Sequence, residues 1–351
     1  MSKPEALVIL TPGFPATVND TTWVPPMQGF VRTLKQHNPN MHIVVISFQY
    51  SNTASTYNWC GVEVIAIAGR GRGQVFRLIT WQRVWQNLKK LHASYKLIGL
   101  LSFWMGECSF MGNRFARKYG LPHYAWLLGQ DAKAGNDYVN RIKPDGSSVI
   151  AISDFVAKEF RLNYGIQPAH IIPTGIDVTL FGAGAAHRDI DIMGAGSLIP
   201  LKQYDLFVKV IKSLVTEFPG LKTVICGNGP EMDNLKKQIS RLGLENNIEL
   251  KGELPHPEVL AMMQRSKIFL HTSRYEGYST VLSEALYAGC QVLSLVNGMN
   301  TRPSQHLVPD NVEDLPLIIK KLLNDKELKH EPVLIYTTET IAARITSLFI
   351  H

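Results

Sequence analysis

Short, nearly unbroken apolar runs recur along the chain. Each ends in a polar or glycine-containing break and is followed by a stretch whose apolar positions return at helical spacing. In the first half the runs are Ala6 to Leu10, His42 to Phe48, Leu97 to Phe103, Tyr124 to Leu128 and Val149 to Ile152. Ile171 to Asp177 reads as a last strand entering a linker. Helices are expected after Trp23 and over Phe155 to Asn163, the latter with Ser153-Asp154 at its start. A second series has strands Ile190 to Ala195, Thr223 to Cys226, Ile248 to Leu250, Ile268 to Leu270 and Gln291 to Leu295. Its helices fall near Tyr204 to Glu217, Glu231 to Leu242, Pro257 to Gln264 and Thr280 to Ala288. After Val312 to Leu323 comes a final apolar-faced helix, Thr338 to Phe349. This is βαβ rhythm carried through twice, without a sequence repeat. It predicts two doubly wound parallel-sheet domains whose carboxyl-edge loops face each other across a cleft. The expected division is 1–177 and 178–334, with glycine-rich Gly182 to Ala186 as the seam. The terminal helix, about 335–351, is expected to pack back on the first domain.

A chain of 351 residues with 45% hydrophobic content is long enough for two cores. Its formal charge of +7 favours an anionic partner: nucleotide phosphates, an acidic membrane face or nucleic acid. No known nucleic-acid module is recognisable, so that class rests on charge alone. Cys60, Cys108, Cys226 and Cys290 are scattered without CxxC spacing and read as reduced core or near-core residues, which fits a cytoplasmic protein. The amino terminus lacks the long apolar stretch of a signal peptide. No segment approaches the ~20 apolar residues of a membrane span. Between Arg70 and Lys96 seven Lys and Arg are interleaved with Phe76, Ile79, Val84, Trp85, Leu88 and Leu91, giving a cationic amphipathic helix. It either packs on the sheet by its apolar stripe or lies on an anionic membrane surface, where it could meet a lipid-linked substrate.

The chemistry concentrates in Ser273 to Gly289, read as loop and helix following a buried strand. Glu276 stands in the loop beside Gly277. Ser279 or Thr280 can cap the helix, whose first N–H groups then form an anion site. Glu284 lies further along and can present a carboxylate to a vicinal diol. Two carboxylates flanking a nest of N–H donors suit a ligand with hydroxyls at both ends and phosphate between, which is the layout of a nucleotide sugar.

Five segments occur in an order that resembles the family 4 glycosyltransferases, retaining enzymes of the GT-B architecture: Ile172 to Asp177, Gly196 to Lys202, Cys226 to Pro230, Lys251 to His256, and Glu276 through Gly289 with its Glu-x7-Glu spacing. The resemblance implies a hexosyl transfer from a UDP- or GDP-sugar to a saccharide or lipid-linked saccharide in envelope polysaccharide or glycan biosynthesis, with no cofactor and no essential metal. It assigns Lys202 to the donor diphosphate, together with the backbone at Thr280 and Val281. Glu276 goes to the donor-sugar hydroxyls, with close backbone at Gly277, Tyr278 and Ser279, and Glu284 to the ribose. Gly227, Asn228 and Leu254 fall beside the nucleotide, and Asp131 at the end of an amino-domain strand. The amino domain is expected to bind the acceptor through loops at Gly13 and Phe14, Trp23 to Gly29 and around Trp104.

The chain departs from the family at several positions. Ser197 stands where an Arg beside the diphosphate is usual, and Leu128-Gly129-Gln130-Asp131 keeps only the Asp of a His-Gly-x-Asp pattern. Thr174 replaces an Asn of the linker, and the loop after Leu295 lacks a Gly-Gly-x-x-Glu run. Asp131 therefore has two readings, a catalytic group or a cap of the segment that follows. The chain as a whole also has two, an enzyme or a catalytically weak nucleotide- or sugar-binding module. A nicotinamide dehydrogenase is set aside because Gly194-Ala195-Gly196 is not completed to GxGxxG.

Overall fold

The computed structural model describes residues 3–20, 24–73, 75–184 and 187–350, so Trp23 of the expected acceptor loop and Ala185-Ala186 of the expected seam lie outside the described residues. The chain divides into two units, Met1–Gly175 with Thr338–His351, and Ile176–Thr337.

In the first unit the strands are β1 (Glu5–Thr11), β2 (His42–Ser47), β3 (Ser55–Trp59), β4 (Val62–Ala66), β5 (Lys96–Phe103), β6 (His123–Leu127), β7 (Val149–Ala151) and β8 (His170–Ile171). They form one sheet in the order β3-β4-β2-β1-β5-β6-β7-β8, parallel except for the antiparallel pair β3/β4. Helices cover its faces, so strands such as Ala6 to Leu10 are apolar on both sides rather than alternating. The β3–β4 hairpin is an element that the apolar-run pattern did not predict. Its turn, Cys60-Gly61, has both residues at positive φ (48° and 82°), as a type I′ turn requires. Cys60 is consequently exposed at a hairpin tip, which corrects the expectation that all four cysteines are core or near-core.

The chain returns to this unit at its end. Helix Thr338–Thr346 buries Ile341, Ala342 and Ile345 there, the Thr33 and Thr338 hydroxyls are 3.1 Å apart, and Arg344 donates to the Ile171 carbonyl at 2.7 Å. Phe349 packs edge-on against Tyr124 and fills the space left by the missing side chain of Gly99.

The second unit contains β9 (Ile190–Ala195), β10 (Thr223–Cys226), β11 (Ile248–Gly252), β12 (Ser266–His271), β13 (Gln291–Ser294) and β14 (His306–Leu307). All neighbours are parallel, in the order β11-β10-β9-β12-β13-β14. Ile192 and Ile268 point into one helix-covered core, Met193 and Phe269 into the other. The chain winds outward from β9 in one direction, then crosses to β12 and winds outward in the other. Such a reversal leaves a crevice at the carboxyl ends of the two central strands. The β9/β12 register runs from Ser266↔Ile190 to Phe269↔Met193, and both strands continue beyond it to Ala195 and His271. Among the described residues no helix is long and apolar enough to cross a membrane.

Candidate active site

Three loops meet at the carboxyl edge of the second unit's sheet because their backbones interlock. Gly196 N–H donates to the Cys226 carbonyl (3.0 Å), Leu198 N–H to Asn228 (2.9 Å), and Gly227 N–H to Gly252 (2.7 Å). The crossing is too tight for side chains: a Cβ on Gly227 would lie 1.9 Å from the Gly196 carbonyl oxygen, and one on Gly229 2.4 Å from that of Leu198. Gly227 also sits at φ 141°, a conformation reserved for glycine. Gly227→Ala should therefore cost about 3 kcal/mol or more and lower the melting temperature of this unit by roughly 6–12 °C. Gly220→Ala, whose Cβ meets nothing within 4 Å, is the control and should change stability by less than about 0.5 kcal/mol. Equal melting temperatures by calorimetry would show that the crossing is not the constraint.

Lys202 closes the short 3-10 turn Pro200–Lys202 after β9. The turn is tied to the end of β12, since Arg274 N–H donates to the Leu201 carbonyl (3.0 Å) and the Thr272 hydroxyl to that of Lys202 (2.9 Å). These bonds aim the Lys202 ammonium at Glu276, with which it forms a direct ion pair. On the other side of that carboxylate stands His271, whose Nε2 is 3.4 Å from the same oxygen and also faces the hydroxyls of Ser273 (3.2 Å) and Ser279 (3.4 Å). Burial opposes ionisation of Glu276, but the His271 hydrogen bond and the Lys202 charge outweigh it and hold the carboxyl at about 2. His271 is 5% exposed, and its burial pulls the imidazole below its usual range, so it faces Glu276 as a neutral Nε2–H donor with Nδ1 in an apolar surround and no partner.

Sequence reasoning passed over His271, although a histidine closing an otherwise apolar parallel strand was the available signal. It also left His256 without a role. His256 opens the helix His256–Gln264, and its Nε2 is 2.8 Å from Glu284 Oε1, with Glu284 8% exposed on helix Thr280–Tyr287. Burial works against the His256 imidazolium. The hydrogen bond and charge of Glu284, with Asp177 adding, still carry its pKa above the usual value. A pKa raised on folding stabilises fully below the unfolded value near 6.5, and that stabilisation is lost as pH rises through the folded one. Thermal stability of the protein should therefore decline on passing from pH 6 upward, and His256→Gln should flatten that slope. An unchanged slope in His256→Gln would assign the pH dependence elsewhere.

The remaining expected donor-side residues fall around this cluster. Ser197 and Asn228 are exposed, Gly227 and Leu254 half-buried. Gly277, Ser279, Thr280 and Val281 form the loop and first helical turn after Glu276. Ser279 is the N-cap residue, and its hydroxyl faces His271 rather than the helix N–H groups. The Tyr278 hydroxyl is 2.7 Å from Ser283 Oγ and burial pushes it up to about 12, so this residue presents main chain, not its phenol, to the edge of the sheet.

Asp131 belongs to the other unit. Burial raises its carboxyl to about 7 against the pull of the Leu128 and Met105 N–H groups, and Leu128 N–H donates to its Oδ2 at 2.8 Å. The contact is a capping one across the turn that follows β6. In the amino-terminal loop after β1 the Thr11 hydroxyl donates to the Gly13 carbonyl at 2.8 Å. Phe14, expected to meet an acceptor, is instead a core residue: its ring is 2% exposed and packs edge-on on Trp59 of β3, centroids 5.0 Å apart. Burial of an aromatic ring outweighs its display, so this loop offers backbone and not the Phe14 side chain.

The fold is GT-B, two parallel-sheet α/β domains, the class shared by solved glycosyltransferase structures. Residues 180–333 match the family model described as Glycosyl transferases group 1. The chain is similar to a phosphatidylinositol N-acetylglucosaminyltransferase of Arabidopsis thaliana, 24% identical over 236 residues, 61% of this chain and 52% of that protein. It is 34% identical over 152 residues, 42% of this chain and 22% of that one, to the poly(glycerol-phosphate) alpha-glucosyltransferase of Bacillus subtilis. The chain spans about half the length of these curated relatives or less. Among solved structures, sucrose-phosphate synthase of Thermosynechococcus elongatus superposes with a TM-score of 0.70 at 15% identity, over 98% of this chain and 95% of that one. Anabaena HepE, solved with UDP and glucose, gives 0.64 at 17% identity, over 97% and 94%.

Proposed function

We propose that the protein is a retaining glycosyltransferase of family 4 type that moves a hexose from a UDP- or GDP-sugar to a saccharide or lipid-linked saccharide, in envelope polysaccharide or glycan biosynthesis at the cytoplasmic side of a membrane. The observation that carries the reading is the Lys202–Glu276–His271 cluster, placed by the β9-to-β12 reversal where doubly wound domains bind nucleotides. An ammonium has three donors, so Lys202 can hold Glu276 and a diphosphate oxygen together. It thereby stabilises charge that grows on the leaving phosphate, with the first-turn N–H groups of Thr280 and Val281 adding to the same oxygens. Glu276, ionised across the working pH range, accepts hydroxyls of the donor sugar. Glu284, turned by His256, accepts those of the ribose. The departing phosphate takes the acceptor proton on the same face, which keeps the anomeric configuration and asks neither for a base nor for a metal from this chain. Names of relatives that act on a phosphatidylinositol and on a glycerol-phosphate polymer, and a fold neighbour holding UDP, support the classes of acceptor and donor.

The capping contact of Asp131 favours a second reading, a nucleotide-sugar-binding module with weak turnover. A thermal-shift screen of UDP, GDP and ADP and of their sugars tests the donor, since a ligand bound to the folded state raises the melting point by mass action. Release of nucleoside diphosphate from the preferred donor separates enzyme from module. No shift with any nucleotide would sink both readings.

A further inference from the structure

Helix Val75–Ser94 of the first unit has two apolar faces of opposite direction. Thr80, Val84, Leu88 and Leu91 are buried and pack it on the sheet. Val75, Phe76, Leu78 and Ile79, in its first two turns, are 66%, 50%, 60% and 41% exposed. At about 100° per residue the second group centres roughly 150° round the helix from the first, so it points outward and cannot be an extension of the packed stripe. Ten large apolar side chains are exposed among the described residues, and four of them are these near-consecutive positions. Single exposed apolar residues are ordinary; a cluster on an outward face is not.

The same outward face continues into Arg83, Lys89 and Lys90, all exposed. Arg77 flanks the apolar turns, and the Arg72 guanidinium lies 4.6 Å from the Phe76 ring centre. No Asp or Glu occurs between Glu63 and Glu107. Charge complementarity therefore selects the occupant. A protein partner cut to this patch would need a matching acidic rim on a narrow apolar ridge. An anionic bilayer offers both parts at once, an acyl boundary for the first two turns and phosphate headgroups for the basic ones.

We infer that the outward face of Val75–Ser94 docks the protein on an anionic lipid surface, with Val75, Phe76, Leu78 and Ile79 entering the headgroup layer and Arg77, Arg83, Lys89 and Lys90 lying along it. The inference concerns this face alone and stands whether or not the nucleotide-sugar reading holds. It is tested by co-sedimentation of the full chain with phosphatidylcholine vesicles made with and without phosphatidylglycerol, at low and high salt. The wild type should bind the anionic vesicles at least about ten-fold more tightly than the neutral ones and be released by salt. Phe76→Ser/Leu78→Ser/Ile79→Ser and Arg83→Glu/Lys89→Glu/Lys90→Glu should each reduce that binding at least about ten-fold. All six positions lie on the exposed face, so the melting temperature should stay within a few degrees of wild type and any nucleotide shift should persist. Equal binding to neutral vesicles, no binding, or undiminished binding by either variant would overturn the proposal. So would a wild-type dimer in sedimentation analysis that the apolar variant abolishes, since the face would then belong to a second copy.

Discussion

Glu276→Ala should lower donor turnover by roughly 10²–10³-fold while nucleoside diphosphate binds as tightly as before or more so. The first half follows from the position of the carboxylate. It is held between Lys202 and His271 and ionised down to about pH 2, so it is a fixed acceptor for hydroxyls at the point where the strands part. The second half follows from its charge. In the wild type the Lys202 ammonium is partly neutralised by Glu276; without the carboxylate its field falls wholly on whatever phosphate arrives. Transfer or donor hydrolysis measured beside calorimetric titration with the nucleotide separates the two effects. Unchanged turnover would remove Glu276 from the chemistry. A parallel collapse of nucleotide affinity would mean that it is a structural prop of the loop. Glu276→Gln isolates charge from shape. Because folding depresses the carboxyl pKa, the stability it contributes is present above the unfolded value near 4.3 and is lost as pH falls toward 2. The glutamine variant should therefore show a shallower loss of stability on acidification.

The parts of this site that were legible in the sequence are those that local patterns encode. Buried parallel strands read as apolar runs because helices cover both faces, so β9, β10 and the segment that became β12 were visible, and with them the loop ends that carry Lys202, Glu276 and Glu284. The glycines at 227 and 229 were visible as a break, but only the structure shows that each is required by a carbonyl oxygen under 2.5 Å from where its Cβ would be. What was not legible depends on contacts distant along the chain. His271 belongs to the site because it meets Ser279 and Glu276 after a turn, and His256 because a second helix brings Glu284 against it. The β3–β4 hairpin was hidden because its I′ turn is made by Cys60-Gly61 and not by an Asn-Gly pair, and its strand β3 is largely exposed and polar. Phe14 misled for a related reason: an aromatic in a strand-end loop has the same sequence signature whether it faces a ligand or, as here, the hairpin's Trp59.

Lys202→Ala should do more damage than any other single change at this edge of the sheet, because it removes the charge that faces the diphosphate and strands the one that faces Lys202. Truncating one member of a buried, hydrogen-bonded charge pair costs about 2–5 kcal/mol, much of it the penalty on the partner left behind. Both side chains retain some exposure, 20% and 16%, which places the loss of stability at the lower end of that range. Nucleoside diphosphate affinity should fall roughly 30-fold or more, and turnover with it. The double variant Lys202→Ala/Glu276→Ala distinguishes the two losses. With no unpaired carboxylate its melting temperature should recover most of what Lys202→Ala loses, while turnover stays as low as in either single variant and nucleotide affinity is not restored to that of Glu276→Ala. Thermal denaturation and nucleotide titration of the four proteins complete the cycle. A double variant no more stable than Lys202→Ala would show that the pair is not coupled through Glu276. A Lys202→Ala protein that binds nucleotide like wild type would move the diphosphate away from this loop altogether.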